Sequence, residues 1–145
     1  MRWAWIAGAA LAGAGLGALA GASLPASATE FAAFGIDEVL AKRKELNRSY
    51  HEFLKKPSMR CAVFVLPRGA VDQQTPHETD ELYYVLRGRA TLRVGTGAGI
   101  EDVECRKGSV LFVGAGVEHR FVNIEEDLEM LVIFSEKQAP ALPER

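Results

Sequence analysis

The chain has 145 residues, which leaves room for one folded domain of ordinary size. Its residues are 48% hydrophobic and 25% charged, a balance typical of globular proteins and not of disordered or fibrous ones. The net charge of -2 includes no basic excess, so the composition does not favour nucleic-acid binding.

Residues 1–28 are predicted to be a secretory signal. Arg2 supplies the positive start, and residues 3–24 are all apolar or small. Ala26 and Ala28 have the spacing of a signal-peptidase site. A single arginine, instead of an arginine pair, favours the general export route over the twin-arginine route.

The alternative for this segment is an uncleaved membrane anchor, because the apolar run is long enough to span a bilayer. However, 16 of the 28 residues are Ala (11) or Gly (5), which hold a helix in hydrocarbon poorly. We therefore expect cleavage, a mature protein with no stable membrane span, and a periplasmic or extracellular location.

The mature part, 117 residues (145 minus 28), begins with a predicted helix. From Ile36 to about Leu46, apolar positions recur close to the helical period. Residues 50–54 could add a second helical turn or two before Pro57. We therefore predict a helical lead-in over residues 29–57, followed by a β domain over 58–136 and a loose tail over 137–145.

Short apolar segments follow Pro57 and are separated by turn residues. They cover residues 61–66, 82–86, 90–94, 103–106, 110–113, 120–122 and 130–134. Seven or eight short strands at this spacing predict an all-β sandwich or barrel. No long helical pattern separates the strands, which argues against a parallel βαβ fold. The absence of an internal repeat indicates one barrel and not two.

Two cysteines, Cys61 and Cys105, lack the spacing of a zinc site and both fall on inward positions if the strands alternate. In an exported protein they could form a disulfide, which would stabilise the fold by roughly 3–4 kcal/mol in the chain-entropy model. Two buried free thiols are the alternative that we favour.

Two of the three histidines occur in recognisable patterns. His77 is followed after three residues by Glu81, and Gly88 comes after six further residues. His119 lies in a second stretch that has glycines at Gly108 and Gly116.

These two stretches resemble the first and second motifs of the cupin superfamily. The second agrees in spacing from Gly108 to Asn123, except that Gly114 stands where proline is usual. The resemblance covers roughly residues 58–136 and implies a single jelly-roll β-barrel of the small bacterial kind, in which Gly88 closes a hairpin. It also implies a divalent metal ion (Fe, Mn or Zn) held by His77, Glu81 and His119.

Strand alternation supports the same three residues. Glu81, Tyr83 and Val85 share one face of their strand, and His119 shares a face with Phe121. If those faces point into the barrel, Glu81 and His119 meet near one end, where His77 can join them from a preceding strand. Two imidazoles and a carboxylate form a three-point site with open positions. Tyr83 could line a pocket near the ion or simply belong to the core.

One position departs from the family pattern. The first motif usually has a second histidine two residues before His77, and this chain has Thr75 there. Strict alternation would favour Gln73 or Thr75 as a replacement. The run from Asp72 to His77 instead resembles a D-x-Q-x-P-H variant of small bacterial cupins, which points to Gln74.

The expected function is that of an exported metal-binding cupin that acts on or binds a small molecule, as a dioxygenase-type or Lewis-acid enzyme. The alternative is a non-catalytic binding or sensing module. Asp80 and Glu118 are acid-base candidates only by proximity, and His51 is expected to be a surface histidine in a helical segment. A homodimer is a further expectation from the resemblance.

Overall fold

The structure is a computed structural model that describes residues 31–136. The predicted signal segment and the predicted tail after residue 136 lie outside the described residues. One helix, α1, is followed by eight strands and a single 3₁₀ turn at Gly97–Gly99. The elements are α1 Ile36–Glu45, β1 Tyr50–Lys56, β2 Met59–Leu66, β3 Glu81–Arg87, β4 Arg89–Val94, β5 Glu101–Arg106, β6 Val110–Val113, β7 His119–Val122 and β8 Leu128–Ser135.

The strands form two antiparallel sheets, as the all-β prediction requires. The larger sheet has the order β1-β2-β8-β3-β6, and the smaller has the order β5-β4-β7. Consecutive strands repeatedly belong to different sheets, so the chain winds between them as a jelly roll does. The all-β jelly-roll prediction, with one short helix before it, is confirmed.

The buried core combines residues of both sheets. Val85 and Met130 come from the larger sheet, whereas Leu92 and Phe121 come from the smaller one. All four side chains are at most 3% exposed. Buried and more exposed residues alternate along β3, β6, β7 and β8, and this alternation fixes which of their side chains point between the sheets.

The prediction of helical turns over residues 50–54 is wrong, because this segment is strand β1. The helix ends before Asn47, which adopts a positive φ of 51°. From Tyr50 onward the backbone pairs with β2, from Tyr50 opposite Phe64 to Lys56 opposite Met59. Pairing with β2 from Met59 to Phe64 outweighs the local helical preference of this charged segment.

Gly88 joins two strands that lie in different sheets. The structure therefore corrects the expectation of a hairpin here, since β3 pairs with β6 and β8 while β4 pairs with β5 and β7. Gly88 has a φ of +94°, and a Cβ atom would lie 2.2 Å from the carbonyl oxygen of Asp127. Only glycine fits this corner without displacing backbone.

Both cysteines are free thiols, as favoured above. Cys105 is fully buried, and its thiol donates a hydrogen bond to the Ala90 carbonyl 3.2 Å away. Cys61 pairs in register with Ile133 and lies on the face of β2 opposite to that of the core residue Ala62, so its predicted inward orientation is wrong. The two thiols therefore lie in different sheets and on faces that do not meet.

Helix α1 lies beside β1 and β2 and buries Val39. Between residues 31 and 136, no helix is both long and apolar enough to cross a bilayer.

Candidate metal centre

Two acid-base side chains face each other across the space between the sheets. Glu81 is the first residue of β3 in the larger sheet, and His119 is the first residue of β7 in the smaller one. Their residues are 1% and 2% exposed, and Nε2 of His119 lies 3.7 Å from Oε2 of Glu81. Strand alternation predicts both orientations, since Tyr83 and Phe121, two residues further along each strand, are buried too.

His77 reaches the same place from a loop. The sequence predicts a strand before His77, but residues 67–80 contain no strand. Nδ1 of His77 lies 2.5 Å from Oε1 of Glu81, and its side chain remains 36% exposed.

Backbone contacts hold the loop of His77 against the turn between β6 and β7. The carbonyl of His77 accepts a hydrogen bond from the Gly116 N–H at 2.8 Å. The carboxylate of Asp80 accepts another from the Ala115 N–H at 2.9 Å. The two sequence motifs are thereby fastened to each other near the cluster.

The ligand atoms of His77, Glu81 and His119 all lie within 4.8 Å of one another. A divalent ion of the borderline-soft kind prefers such a set of imidazole nitrogens and a carboxylate oxygen.

Hydrogen bonding also prepares His119 for an ion. Its Nδ1 lies 2.8 Å from the Val117 carbonyl oxygen, which accepts a hydrogen bond from the Nδ1–H group. With the Nδ1 proton held there, the lone pair of neutral His119 lies on Nε2, which faces Glu81. The residues present therefore fit a metal ion.

Gln74 is the one of the three candidate replacements whose side chain turns toward the cluster. Its Oε1 lies 3.2 Å from the hydroxyl oxygen of Tyr83. Gln73 and Thr75 are exposed. Strand parity does not apply here because the segment is a loop, and this is why alternation pointed to Gln73 or Thr75.

Asp72 fixes the direction of that amide, a role that sequence reasoning missed. Its buried carboxylate accepts hydrogen bonds from Nε2 and the backbone N–H of Gln74, at 2.8 and 3.2 Å. It also accepts one from the backbone N–H of Phe121 in β7 at 2.8 Å. With Nε2 bound to Asp72, Oε1 must face the cluster. The D-x-Q-x-P-H pattern contains Asp72 and was the only signal of it in the sequence.

The hydroxyl of Tyr83 lies at the centre of the cluster. It contacts Oε2 of Glu81 and lies 3.2 Å from Nε2 of His119 as well as from Gln74. Burial, and then the hydrogen bond to the Glu81 carboxylate, raise the pKa of Tyr83 far above its ordinary value, so the phenol keeps its proton. Tyr83 fills both roles that the sequence left open, because it belongs to the buried core and also lines the cavity at the cluster.

The protonation of the central pair is set by opposing effects. Burial raises the pKa of Glu81, but the nearby His119 and the hydrogen bond from Tyr83 lower it more, so the net shift is downward. Burial lowers the pKa of His119, but the nearby Glu81 carboxylate and the hydrogen bond to the Val117 carbonyl raise it more, so the net shift is upward. Without a metal, the pair is therefore shifted toward a carboxylate beside an imidazolium, and metal binding must displace any proton on Nε2 of His119.

The remaining candidates lie away from the cluster. Asp80 is engaged with Ala115, as described, and the side chain of Glu118 faces Arg120 at 3.9 Å. His51 lies on β1 opposite Val63 and not in a helix, and it is outside the metal-binding group.

A cavity of about 460 Å³ opens beside the cluster. Its wall includes Gln74, His77 and Tyr83 at the cluster, together with Tyr50 and Phe134. The ring of Phe134 lies edge-on to that of His77, with 5.3 Å between the ring centroids. A small molecule in this cavity could therefore contact His77 directly.

Known proteins resemble this chain in sequence and in fold. The family model of the Cupin domain matches residues 62–134. An uncharacterized protein of Streptomyces coelicolor is 42% identical over 103 residues, which cover 71% of this chain and 94% of that relative.

Solved structures share the fold at low sequence identity. An RmlC-like cupin family protein with a double-stranded β-helix fold from Methanocaldococcus jannaschii has a TM-score of 0.53 and 19% identity, over 60% of this chain and 78% of that one. The DMSP lyase DddQ from Ruegeria pomeroyi has a TM-score of 0.55 and 18% identity, over 63% of this chain and 48% of that one. At these identities the likeness concerns the fold alone.

Proposed function

Because the chain belongs to the Cupin domain family, we propose that it binds one divalent metal ion and acts on or binds a small molecule beside it. His77, Glu81 and His119 are the proposed ligands. The observation that carries the proposal is the convergence of their ligand atoms to within 4.8 Å, across two sheets and a loop.

Gln74 is the proposed fourth protein ligand, through Oε1. An amide oxygen is a weaker and harder donor than the imidazole usual at this point of the family pattern, so the site should hold its ion less tightly. The donor set suits Fe, Mn or Zn. When bound, such an ion supplies either Lewis-acid chemistry or an open position for oxygen and substrate.

The protein's own groups would bind and orient the small molecule. Tyr83 stays protonated and donates its O–H to Oε2 of Glu81. The apolar cavity wall excludes water from one side of the cluster, which strengthens electrostatic interactions there. A lyase of similar fold, DddQ, supports an enzymatic role for this fold without indicating the substrate.

Metal analysis of the purified mature protein tests the proposal. We expect about one equivalent of a divalent metal in the wild type and in His51→Ala, the matched control for a histidine outside the cluster. Glu81→Gln and His119→Ala should lose it. Equal metal content in all four proteins, or none in the wild type after reconstitution, would contradict the proposal.

A non-catalytic binding or sensing module is the second candidate. It is favoured by the contacts of Asp80 and Glu118, the two acid-base candidates. Their carboxylates contact Ala115 and Arg120 instead of the metal-binding residues. His77→Ala separates the two functions: if metal content vanishes while small-molecule binding survives, the module is favoured. If both vanish together, the ion takes part in binding.

We also propose a homodimer that forms through the outer face of β3 and β6. Leu82 pairs with Phe112 and Tyr84 with Val110, and all four are exposed apolar side chains. Phe112 is 68% exposed, which is unusual for an unpartnered phenylalanine. Phe112→Glu should yield a monomer in sedimentation experiments, whereas Val103→Glu on β5 should not change the mass. A monomeric wild type would refute this assembly.

Export remains a proposal that rests on the pattern of residues 1–28. Amino-terminal sequencing of the protein from its native host should give Thr29 as the first residue. An intact start at Met1 would refute cleavage.

A further inference from the structure

The cavity beside the metal centre has a predominantly apolar wall. It lies where β1, β2 and β8 meet the loop of residues 67–80, and its volume is about 460 Å³. The apolar wall is formed by Tyr50, Phe64, Leu66, Pro67, Val132 and Phe134. With Tyr83 at the cluster end, four aromatic rings line this small cavity, which suits a flat or branched hydrocarbon body.

Most polar side chains of the wall belong to the cluster or to the loop beside it. His77 and Tyr83 contact Glu81, and Gln74 contacts Tyr83. Asp72 also lines the cavity, but its carboxylate accepts hydrogen bonds from Gln74 and Phe121. Away from these residues, a ligand hydroxyl would find only Ser49, the exposed Gln73 and the hydroxyl of Tyr50 as side-chain partners within the part of the chain that the structure describes.

No lysine or arginine is among the described residues that line the cavity. The guanidinium of Arg60 stacks over the Phe134 ring at 4.7 Å and pairs with Glu136 at 2.8 Å. An anionic group of the ligand would therefore depend on the ion alone for its charge partner. Phosphate esters and polyanions usually require a guanidinium or an ammonium as well.

We propose that the natural ligand is a small aromatic or branched aliphatic molecule that carries one metal-binding oxygen group, and not a sugar or a phosphate ester. This inference rests on the proposed metal centre and names the ligand class for it. The oxygen group lies at the cluster and the apolar body fills the cavity. The several hydroxyls of a sugar would outnumber the polar side chains of this wall, so burying them would leave some without hydrogen-bond partners, which is costly.

The rim of the cavity is apolar as well. Val71 lines the opening and is 79% exposed. An exposed valine there offers a ligand apolar contact before it reaches the cluster.

Two probes with the same metal-binding head test the inference on the zinc-loaded protein. Benzohydroxamic acid carries a phenyl body, whereas acetohydroxamic acid carries only a methyl group. We expect calorimetry to give at least about tenfold tighter binding for the benzo compound, or about 1.4 kcal/mol. Glucose 6-phosphate should bind more weakly than either. Equal affinity of the two hydroxamates, or tighter binding of the sugar phosphate, would overturn the inference while leaving the metal centre intact.

A cavity-filling variant locates the phenyl group. Ala70 is half-buried in the wall, and Ala70→Phe should remove the benzo preference while acetohydroxamic acid still binds. If this variant does not fold, Val71→Ser at the exposed rim should reduce the preference two- to threefold. An unchanged ratio in the folded variant would place the phenyl group elsewhere and overturn the inference.

An experiment on the metal-free protein tests the proposed ligand class independently of the proposed metal centre. If the wild type takes up no ion, the proposed metal centre fails, and the cavity is tested with phenol by saturation-transfer NMR. Saturation of the phenol signals, lost in Ala70→Phe or, if that variant does not fold, reduced in Val71→Ser, would retain the apolar ligand class. No saturation transfer in the wild type would overturn it as well.

Discussion

The hydroxyl of Tyr83 illustrates what a single residue contributes to this site. It contacts Glu81 and lies 3.2 Å from both Gln74 and His119, so it touches residues from a loop and from both sheets. Alternation along β3 predicts that Tyr83 faces inward, but alternation cannot tell a packed ring from a hydroxyl at the centre of a polar cluster. The two cases differ in which residues of the opposite sheet the side chain reaches. The alternation of residues along one strand gives no information about that.

Asp72 provides a test of how the amide of Gln74 is held. The Asp72 carboxylate now accepts hydrogen bonds from two N–H groups of Gln74. In Asp72→Asn, one of the two oxygens becomes an NH₂ group, which cannot accept these bonds, so the Gln74 side chain should lose its orientation. We expect metal affinity to fall about tenfold, as is common for groups that orient metal ligands. Gln73→Ala, a change at the exposed neighbour, is the control, and competition with a chelator measures both.

The double variant distinguishes orientation from a general loss of structure. If Asp72 acts through Gln74, Asp72→Asn should weaken metal binding little further in a Gln74→Ala background. Fully additive losses would show that Asp72 acts by another route.

The pair of Glu81 and His119 predicts how the stability of the metal-free protein depends on pH. The raised pKa of His119 contributes stability that is present below its ordinary value of 6.5 and is lost as pH rises through the folded pKa. The lowered pKa of Glu81 contributes stability that is present above 4.5 and is lost as pH falls through its folded pKa. The contribution of this pair to the free energy of unfolding should therefore be greatest between pH 4.5 and pH 6.5.

Urea unfolding of the chelator-treated protein measures this dependence. His119→Gln should abolish the loss on the alkaline side, whereas His51→Gln should retain it. A wild type whose stability keeps rising above neutral pH would contradict the predicted role of His119.

At the level of elements, the strands were predictable where apolar and polar residues alternate. Strands β2 to β8 each contain a segment predicted from the sequence, because most of them bury one face. The exception is β5, in which only Cys105 is buried. Strand β1 was not predictable, since its sequence YHEFLKK is charged and only partly buried. It is defined by its pairing with β2, which is a tertiary interaction.

The loop of residues 67–80 explains why the fourth ligand could not be predicted from strand alternation. Without a strand ladder, the orientation of Gln74 depends on its hydrogen bonds to Asp72. Parity arguments therefore fail here, and only the resemblance to a known sequence pattern indicated Gln74.

Gly88, which connects β3 to β4, is a position at which a single substitution should destabilise the fold strongly. A Cβ atom there would meet the Asp127 carbonyl at 2.2 Å in addition to adopting a φ of +94°. We expect Gly88→Ala to lower the free energy of unfolding by about 2–4 kcal/mol. Gly108→Ala is the control, because Gly108 has a φ of +89° but no atom within 4 Å of the added Cβ.

Chemical denaturation compares the two glycine variants. The control should lose only the conformational part, about 1–2 kcal/mol. Equal losses would mean that the close approach of Asp127 relaxes without cost.

At the level of the whole molecule, a bound ion would connect the two sheets. Glu81 and His119 belong to different sheets, so an ion held by both favours the folded chain over the unfolded one. At a free metal concentration of 100 times Kd, the expected stabilisation is about 2.7 kcal/mol. Thermal unfolding with and without zinc measures it.

The matched variants make this measurement specific. His51→Ala should show the full increase in Tm, and Glu81→Gln should show little or none. An equal increase in Glu81→Gln would mean that zinc stabilises the protein from another site.

The unequal exposure of the cluster has a consequence for the order of assembly. Glu81 and His119 are almost completely enclosed, whereas the side chain of His77 is 36% exposed and belongs to a loop. An arriving ion can meet His77 first and pass inward, so loading need not wait for a rare global opening of the barrel. Metal uptake by the folded protein should accordingly be much faster than unfolding, and the same route would let a chelator withdraw the ion.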